Sequence, residues 1–319
     1  MRFAVDGGTL GETGPGRAYH KLLGDAQMAK GYLTSREVAL ILGVSESSVK
    51  RWIDDGLMPA TRTAGGHRRI ATPDIVDYIR RNNLPVLNAD ILGFAETQTL
   101  QPQLLEDQEL TQRLYFALEN GDAVAAAAMI HGPFLGGRSL VWLFDGPVRT
   151  AMHRLGELWQ QRPDGIMIEH RATEICVQAV MRLRQMLIPR ENIPAALGAA
   201  TAGDPYILPT LMAATVLRDL GMRDINLGPD TPLPSLLQAA RTEKPALVWL
   251  SFSGLDSGKL PPADLTALAD ELQSMDAALI IGGRELGPLQ DFRHPNITIG
   301  QSMADLVSLA QSVLAKTGR

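Results

Sequence analysis

Within five positions, Ser47, Ser48, Lys50 and Arg51 combine short hydroxyl donors with long cations. That combination suits the major groove of DNA, where a hydroxyl bonds over a short span and a guanidinium can bond guanine O6 and N7 together. A second cationic group follows at Arg62, His67, Arg68 and Arg69, around Gly65-Gly66. Cations on such a loop bind phosphates, which fix the position of a protein on the duplex without reading bases.

Both groups need a rigid support, and the stretch Leu33–Ile70 supplies one. Thr34 and Glu37 have the spacing of a capping box. Val38, Ala39 and Leu42 then form one apolar face at helical spacing. Gly43 provides a tight turn, because it enters the left-handed region without a Cβ penalty. Ser45 caps a second helix, and Val49, Trp52 and Ile53 direct it back at the first. Gly56-Leu57-Met58-Pro59 ends that helix, and the basic loop becomes a hairpin wing. Thr72-Pro73-Asp74 opens another helix, with proline in the first turn where its missing N–H costs nothing. A small helical domain with a solvated basic loop is the alternative; the consistent register of turn, caps and basic faces favours a DNA reader. The stretch Leu33–Ile70 resembles the winged helix-turn-helix of MerR-type transcription regulators. The resemblance implies a homo-oligomer, a dimer or tetramer, on a roughly palindromic double-stranded operator.

Charge distribution agrees. The 319 residues carry a net charge of −5 with 45% apolar and 20% charged residues, an ordinary globular balance. Residues 31–85 hold eight cations against six acids, which leaves −7 for the remainder. An acidic body with a locally basic segment fits a DNA switch better than a general nucleic-acid binder. Cys176 is the only cysteine, so no disulfide within the chain and no cysteine-rich metal site is expected, which fits a reducing cytoplasm. No apolar run approaches the length of a membrane span. Residues 1–30, with their scattered glycines, read as a flexible tail rather than a signal peptide.

Further along, a multidomain organisation emerges. Residues 31–85 form the DNA reader, 86–103 a polar linker, 104–190 a four-helix bundle and 191–319 an α/β domain. Leu110, Leu114, Ala117 and Leu118 mark the first bundle helix; Ala123–Ile130, Ser139–Leu158 and Ile166–Leu187 mark the others. Arg171, Arg182 and Arg184 read as a solvated face of the last. Short apolar strands then alternate with helices, of which Ala195–Thr201 and Ala246–Phe252 lack any charge. Such alternation predicts a doubly wound parallel sheet with ligands at the carboxyl ends of its strands.

Those strand ends fall at Gly203–Pro209, Ser251–Ser253 and Gly282–Gly283. The spacing resembles the cobalamin-binding domains of the methionine-synthase type, where an Asp-x-His-x-x-Gly loop precedes a Ser-containing strand end and then Gly-Gly. In the bundle, Trp159 followed by Glu169-His170 resembles the cobalamin-dependent photoreceptor regulators of the CarH/LitR type, which share the order reader, bundle, doubly wound domain. The resemblance implies a tetrapyrrole between bundle and sheet, with Trp159 packing on its upper face. Three positions depart from it. Tyr206 stands where the family's cobalt-ligating histidine would be, Pro209 replaces the loop glycine, and Gln160 replaces the second histidine. Cobalt(III) prefers a nitrogen base, and neither a phenol nor a carboxamide replaces it well.

Three readings therefore stand. In the first, slightly favoured, the cleft holds a linear bilin such as biliverdin: Trp159 stacks, Glu169, His170 and Tyr206 bond pyrrole or lactam groups, and Arg284 pairs a propionate. Gln160, Ser251, Ser253, Gly282 and Gly283 complete that cofactor site. In the second, adenosylcobalamin binds in an atypical mode; in the third, the domain carries no ligand and answers to a protein partner. Cys176 could tether a bilin, though a small buried residue is the plainer reading. No nucleophile–base pair is evident, and His131, His153 and His294 read as isolated, so no catalytic and no metal-binding residue is expected.

Overall fold

The computed structural model describes residues 31–100, 105–188, 193–254 and 260–316. The tail read at residues 1–30 lies outside them. Strand β1 (Tyr32–Thr34) leads directly into helix α1 (Ser35–Leu42), followed by α2 (Glu46–Asp54). The capping box at Thr34 is complete: Glu37 N donates to Thr34 Oγ1 (3.2 Å), and Thr34 N donates to Glu37 Oε2 (2.8 Å). Gly43 turns the chain at φ 64°, and Ser45 Oγ accepts from Ser48 N at 3.1 Å. Strands β2 (Thr61–Arg62) and β3 (Arg68–Ala71) make the wing, and β3 also pairs with β1, giving the antiparallel order β1-β3-β2. The periodicity of the sequence did not reveal β1, because three residues are too few to show alternation. Helix α3 (Thr72–Arg81) closes this unit, with Ile75, Val76 and Ile79 buried.

The polar linker expected over 86–103 is a correction. Ala89–Leu92 form a 3-10 turn and Ala95–Leu100 the helix α4, while Leu92, Phe94 and Thr97 are buried. A few apolar residues placed to dock on the bundle outweigh a polar average.

The bundle comprises α5 (Asp107–Asn120), α6 (Ala123–Leu135), a broken third rod and α9 (Gly165–Arg184). The third rod runs as α7 (Leu140–Leu143), a π turn over Phe144–Val148 and α8 (Arg149–Gly156). Pro147 sits inside that π turn. A proline cannot donate to the helical ladder, and an inserted residue relieves the break.

The α/β part follows the predicted alternation: β4 (Ala195–Ala200), α10 (Ile207–Asp219), β5 (Arg223–Asn226), α11 (Leu233–Glu243), β6 (Leu247–Ser251), α12 (Pro262–Ser274), β7 (Ala278–Gly282), β8 (Ile297–Gly300) and α13 (Met303–Lys316). The five strands are parallel in the order β5-β4-β6-β7-β8. Strands β4 and β6 are buried along their whole length, and β5 at the edge is partly exposed. Bundle and sheet are joined by side chains. Asp145 in the π turn accepts from the first amides of α13, Met303 N at 2.8 Å and Ala304 N at 3.1 Å, and Arg149 donates to the carbonyl of Gln301.

Arg182 and Arg184 are a second correction. Arg182 pairs with Glu96 of α4 at 3.2 Å, and Arg184 is buried, bonded to Asp224 and to Thr215 Oγ1. Arg171 donates to the carbonyl of Glu119 at 2.6 Å. What reads as a solvated face of one helix is its seam with α4, α5, α10 and β5.

Candidate functional site

In the N-terminal unit, Ser47, Lys50 and Arg51 are exposed on α2 and Ser48 half-exposed, while Val49 is buried beneath them. Lys50 is paired with Glu46 at 2.8 Å, within the same helix. Among the described residues, no ion pair holds Arg51. On the wing, Arg62, His67 and Arg69 are exposed; Thr63 N donates to the His67 carbonyl (3.0 Å) and Gly66 N to that of Thr63 (2.8 Å), which closes the hairpin tip. The structure thus brings recognition helix and wing to the same unit.

Arg68 departs from its expected role. Its Nη2 donates to both Asp54 oxygens, at 2.6 and 2.8 Å, and its side chain is only 18% exposed. The hydrogen bond from Arg68 holds the Asp54 carboxyl below its usual range. Arg68 therefore ties the wing to the end of α2, which leaves Arg62, 3.7 Å from Asp54, with His67 and Arg69 as the exposed basic side chains of the wing. The alternation along β3 decides which of two neighbouring arginines faces inward. Asp54 was the missed partner.

At the other end, the sheet reverses its order between β4 and β6, the position where doubly wound folds accept ligands. Thr201, directly after β4, is buried and its Oγ1 has no hydrogen-bond partner. Asp204 is wholly buried; its carboxylate accepts from Tyr206 N (3.1 Å) and Ser253 N (2.6 Å), stitching the loop after β4 to the end of β6. Ser251 and Ser253 share a hydrogen bond between hydroxyls at 3.3 Å. Tyr206, at the N-cap of α10, is 36% exposed.

The upper residues come from the bundle. Trp159 is 61% exposed on a short 3-10 turn, with Gln160 exposed beside it. Gly165 is required there, since a Cβ would meet Trp159 N at 2.4 Å. Glu169 accepts from Thr173 Oγ1 (3.1 Å), and His170 lies 3.6 Å from the Glu169 carboxylate with its side chain 75% exposed. Arg284 bonds Glu285, and a side chain grown on Gly156 would touch its guanidinium at 3.9 Å, so Arg284 reaches the bundle.

The spacing of the two levels follows from the helices. Arg184 of α9 donates to Thr215 of α10, and Ile188 and Arg218 line one small gap, so the two helices advance in the same direction. Fifteen residues separate Glu169 from Arg184 and nine separate Tyr206 from Thr215. At about 1.5 Å per residue, the α9 stretch back to Glu169 is roughly 9 Å longer than the α10 stretch back to Tyr206. Trp159, Glu169 and His170 thus come from the bundle side and Tyr206 from the sheet side of the expected ligand site.

Several side chains and glycines considered in the sequence are engaged by the fold itself. Gly282 and Gly283 are required by the fold itself: a Cβ on Gly282 would meet the Gly300 carbonyl at 2.8 Å, and one on Gly283, at φ 134°, the Phe252 carbonyl at 2.2 Å. They allow neighbouring strand ends to approach. Cys176 is buried, with its Sγ 3.8 Å from Met152 Sδ, and burial pushes its thiol up to about 12, which removes it as a tether. His131 is not isolated: its Nδ1 lies 2.8 Å from Glu96 Oε1 and its Nε2 3.0 Å from the Ala179 carbonyl. A cleft of about 510 Å³ also opens on the bundle, lined by Asp107, Trp142, Pro147 and Arg154 among others.

Residues 32–83 match a family described as a helix-turn-helix domain. No curated protein matches the chain. Among solved structures, the helix-turn-helix chain is similar to the monomethylamine corrinoid protein of Methanosarcina barkeri. The TM-score is 0.50 at 17% identity, over 65% of this chain and 100% of that one. A cobalamin-binding protein of Desulfitobacterium hafniense DCB-2 aligns at 18% identity and TM-score 0.35, over 66% and 99%. The methanol:cobalamin methyltransferase complex of Methanosarcina barkeri aligns at 15% and 0.32, over 85% and 93%. At these identities the likeness is one of fold: a helical part followed by the parallel-sheet domain of cobalamin-binding proteins.

The residues at this site fit such a ligand in part. The orphaned Thr201 hydroxyl and the open faces of Trp159 and Tyr206 fit a flat, hydrogen-bonding guest. The donor set lacks a nitrogen base for cobalt at both Tyr206 and Gln160. Between β4 and β6, moreover, the interior is filled. The Trp249 indole lies over Gly198, where a Cβ would meet it at 2.0 Å, and Trp249 Nε1 donates to Thr210 Oγ1 at 3.0 Å. A corrinoid seated here finds no imidazole at Tyr206 or Gln160, and the Trp249 indole fills the space over Gly198. Trp249 was legible as a core residue; its position over a glycine was not.

Proposed function

We propose that this chain is a DNA-binding transcription regulator of the MerR type, switched by a tetrapyrrole held between its bundle and its α/β domain. The single observation that carries the regulatory half is the capped helix-turn-helix with Arg51, Arg62, His67 and Arg69 presented on one unit. Arg51 reads a base; the wing cations bind phosphate; a homo-oligomer in the cytoplasm places two readers on a palindromic operator.

The ligand half is supported by the exposed faces of Trp159 and Tyr206, the unpartnered hydroxyl of buried Thr201 after β4, and the likeness of the fold to a corrinoid protein. The fold favours a corrinoid, bound here through its faces and not through cobalt. A second reading, the linear bilin biliverdin, draws its support from Tyr206 and Gln160 at the imidazole positions and from the Trp249 plug, since a bilin has neither a metal to ligate nor a nucleotide tail. Either guest absorbs visible light, and light is the input we assign. Ligand state then changes how bundle and sheet pack, and through that the geometry of the readers.

Two measurements test this. Duplexes selected from a random pool should be retained by the purified chain and lost on Arg51→Ala; retention of no duplex by the intact chain would sink the regulator reading. Absorption spectra after mixing with adenosylcobalamin or biliverdin separate the ligands. A corrinoid band that co-elutes supports the first reading, a red-shifted bilin band the second, and free ligand in both cases overturns the sensor.

A further inference from the structure

The proposed ligand site and the DNA reader lie at opposite ends of the same two helices. Helix α9 carries Glu169 and His170 near its start and Arg184 at its end, and α10 begins after Tyr206 and ends at Asp219. At the far ends a charge network gathers. Asp224, almost wholly buried in β5, accepts from Arg184 and from Arg218 Nε (2.6 Å). Beside Arg218, Asp219 accepts both terminal nitrogens of Arg80, at 2.9 and 3.3 Å.

Arg80 belongs to the last turn of α3, the helix that closes the DNA reader. Its guanidinium also stands 4.0 Å from the ring centroid of Phe134 in α6. One side chain thus touches reader, bundle and α/β domain. The pair is 15% exposed on the arginine and 26% on the aspartate. That is shielded enough for a two-pronged, charge-assisted bond to hold, and open enough for water to take over when it breaks.

Geometry makes this contact sensitive. Helix α9 is 20 residues long, about 30 Å, so a tilt of about 5° at the proposed ligand site moves its far end by roughly 2–3 Å. A hydrogen bond does not survive a lengthening of that size. We propose that Arg80, gripped by Asp219 and Phe134, is the latch that fixes the orientation of the DNA reader, and that the packing of α9 against α10 acts on DNA by holding or releasing it. The input side of this device rests on the proposed ligand site; the latch itself does not.

The test therefore uses neither ligand nor operator. Spin labels are placed on the full chain at Leu57→Cys and Gln273→Cys, both exposed positions, while buried Cys176 stays unlabelled. The parent should give one narrow distance distribution. Asp219→Asn, isosteric and at the surface, should broaden it or add a second distance, and Asp219→Glu should keep it narrow. Asp219→Ala provides a further variant, with its circular dichroism matching the parent as the control for folding. A parent-like narrow distribution in both Asp219→Asn and Asp219→Ala would overturn the latch. Adding a 30-base-pair random duplex, on the order of the length of a two-half-site operator, then separates the two ideas. No binding by any variant counts against the regulator reading and leaves the distance result standing.

Discussion

The DNA reader and the expected ligand site place their chemistry in opposite ways. In the reader, apolar residues build the support and the reactive side chains stand outside it: Val49 is buried, Arg51 and Arg69 are not. At the expected ligand site, several residues on the sheet side are already engaged by the fold, while the Thr201 hydroxyl is left without a partner. Asp204 bonds two backbone amides, and Gly282 and Gly283 let strand ends approach. Residues at family-like spacing therefore mean different things in the two regions. Spacing along one short helix fixes what a side chain meets, whereas spacing across a sheet fixes only the strand end on which it falls.

The largest expected effect attacks the ligand-site side of this contrast. Trp249→Ala removes a buried indole and should lower unfolding stability by about 3–5 kcal/mol, read as a shift in denaturation midpoint. If Trp249 instead lines a ligand channel, the loss will be small and cobalamin affinity will rise. Next comes the reader. Arg51→Ala should cost about 1–3 kcal/mol of operator binding and relax the preference at one base pair. Unchanged affinity would remove α2 from the groove. Arg69→Ala should weaken all duplexes alike and lower the salt slope by about one, whereas Arg68→Ala should also lower stability, because it frees the wing from Asp54. Equal behaviour of the two arginines would erase the distinction drawn between them.

The smallest effect is a pH dependence. Glu96 is desolvated, which raises its pKa, but the hydrogen bond from His131 and the nearby charge of Arg182 outweigh this, and the net shift is downward from 4.5. A carboxyl lowered by folding stabilises above its unfolded value and loses that contribution as pH falls through the lower, folded one. Stability measured between about pH 5 and pH 3 should therefore fall, and Glu96→Gln should flatten that part of the profile. A parallel decline in the variant would assign the effect to other carboxylates.

How much of this was legible in the sequence follows the same contrast. Thr34, Glu37, Gly43 and Ser45 act on neighbours three or four residues away, so the caps and turn could be read directly. The alternation of strands and helices also carried the parallel sheet, since buried strands need uncharged runs. Partners far apart in the chain could not be read. Arg68 finds Asp54 across a hairpin, Glu96 finds His131 across 35 positions, and Arg80 finds Asp219 across 139. Polar composition made 86–103 look like a linker because the two residues that dock it, Leu92 and Phe94, are few and decisive. At the expected ligand site, the spacing located the strand ends and Trp159, but not the Trp249 plug, which depends on which residue lies opposite on the next strand.

The carboxylate of Asp145 has one more implication. It is the acceptor for the opening amides of the final helix, and it belongs to the bundle, not to the sheet that the helix covers. A fragment cut near residue 190 would leave Met303 and Ala304 to find water instead, and its last helix would fray from the start. Shuffling this sheet onto another scaffold would thus require its old neighbour, or a substitute acid in the same place, to travel with it.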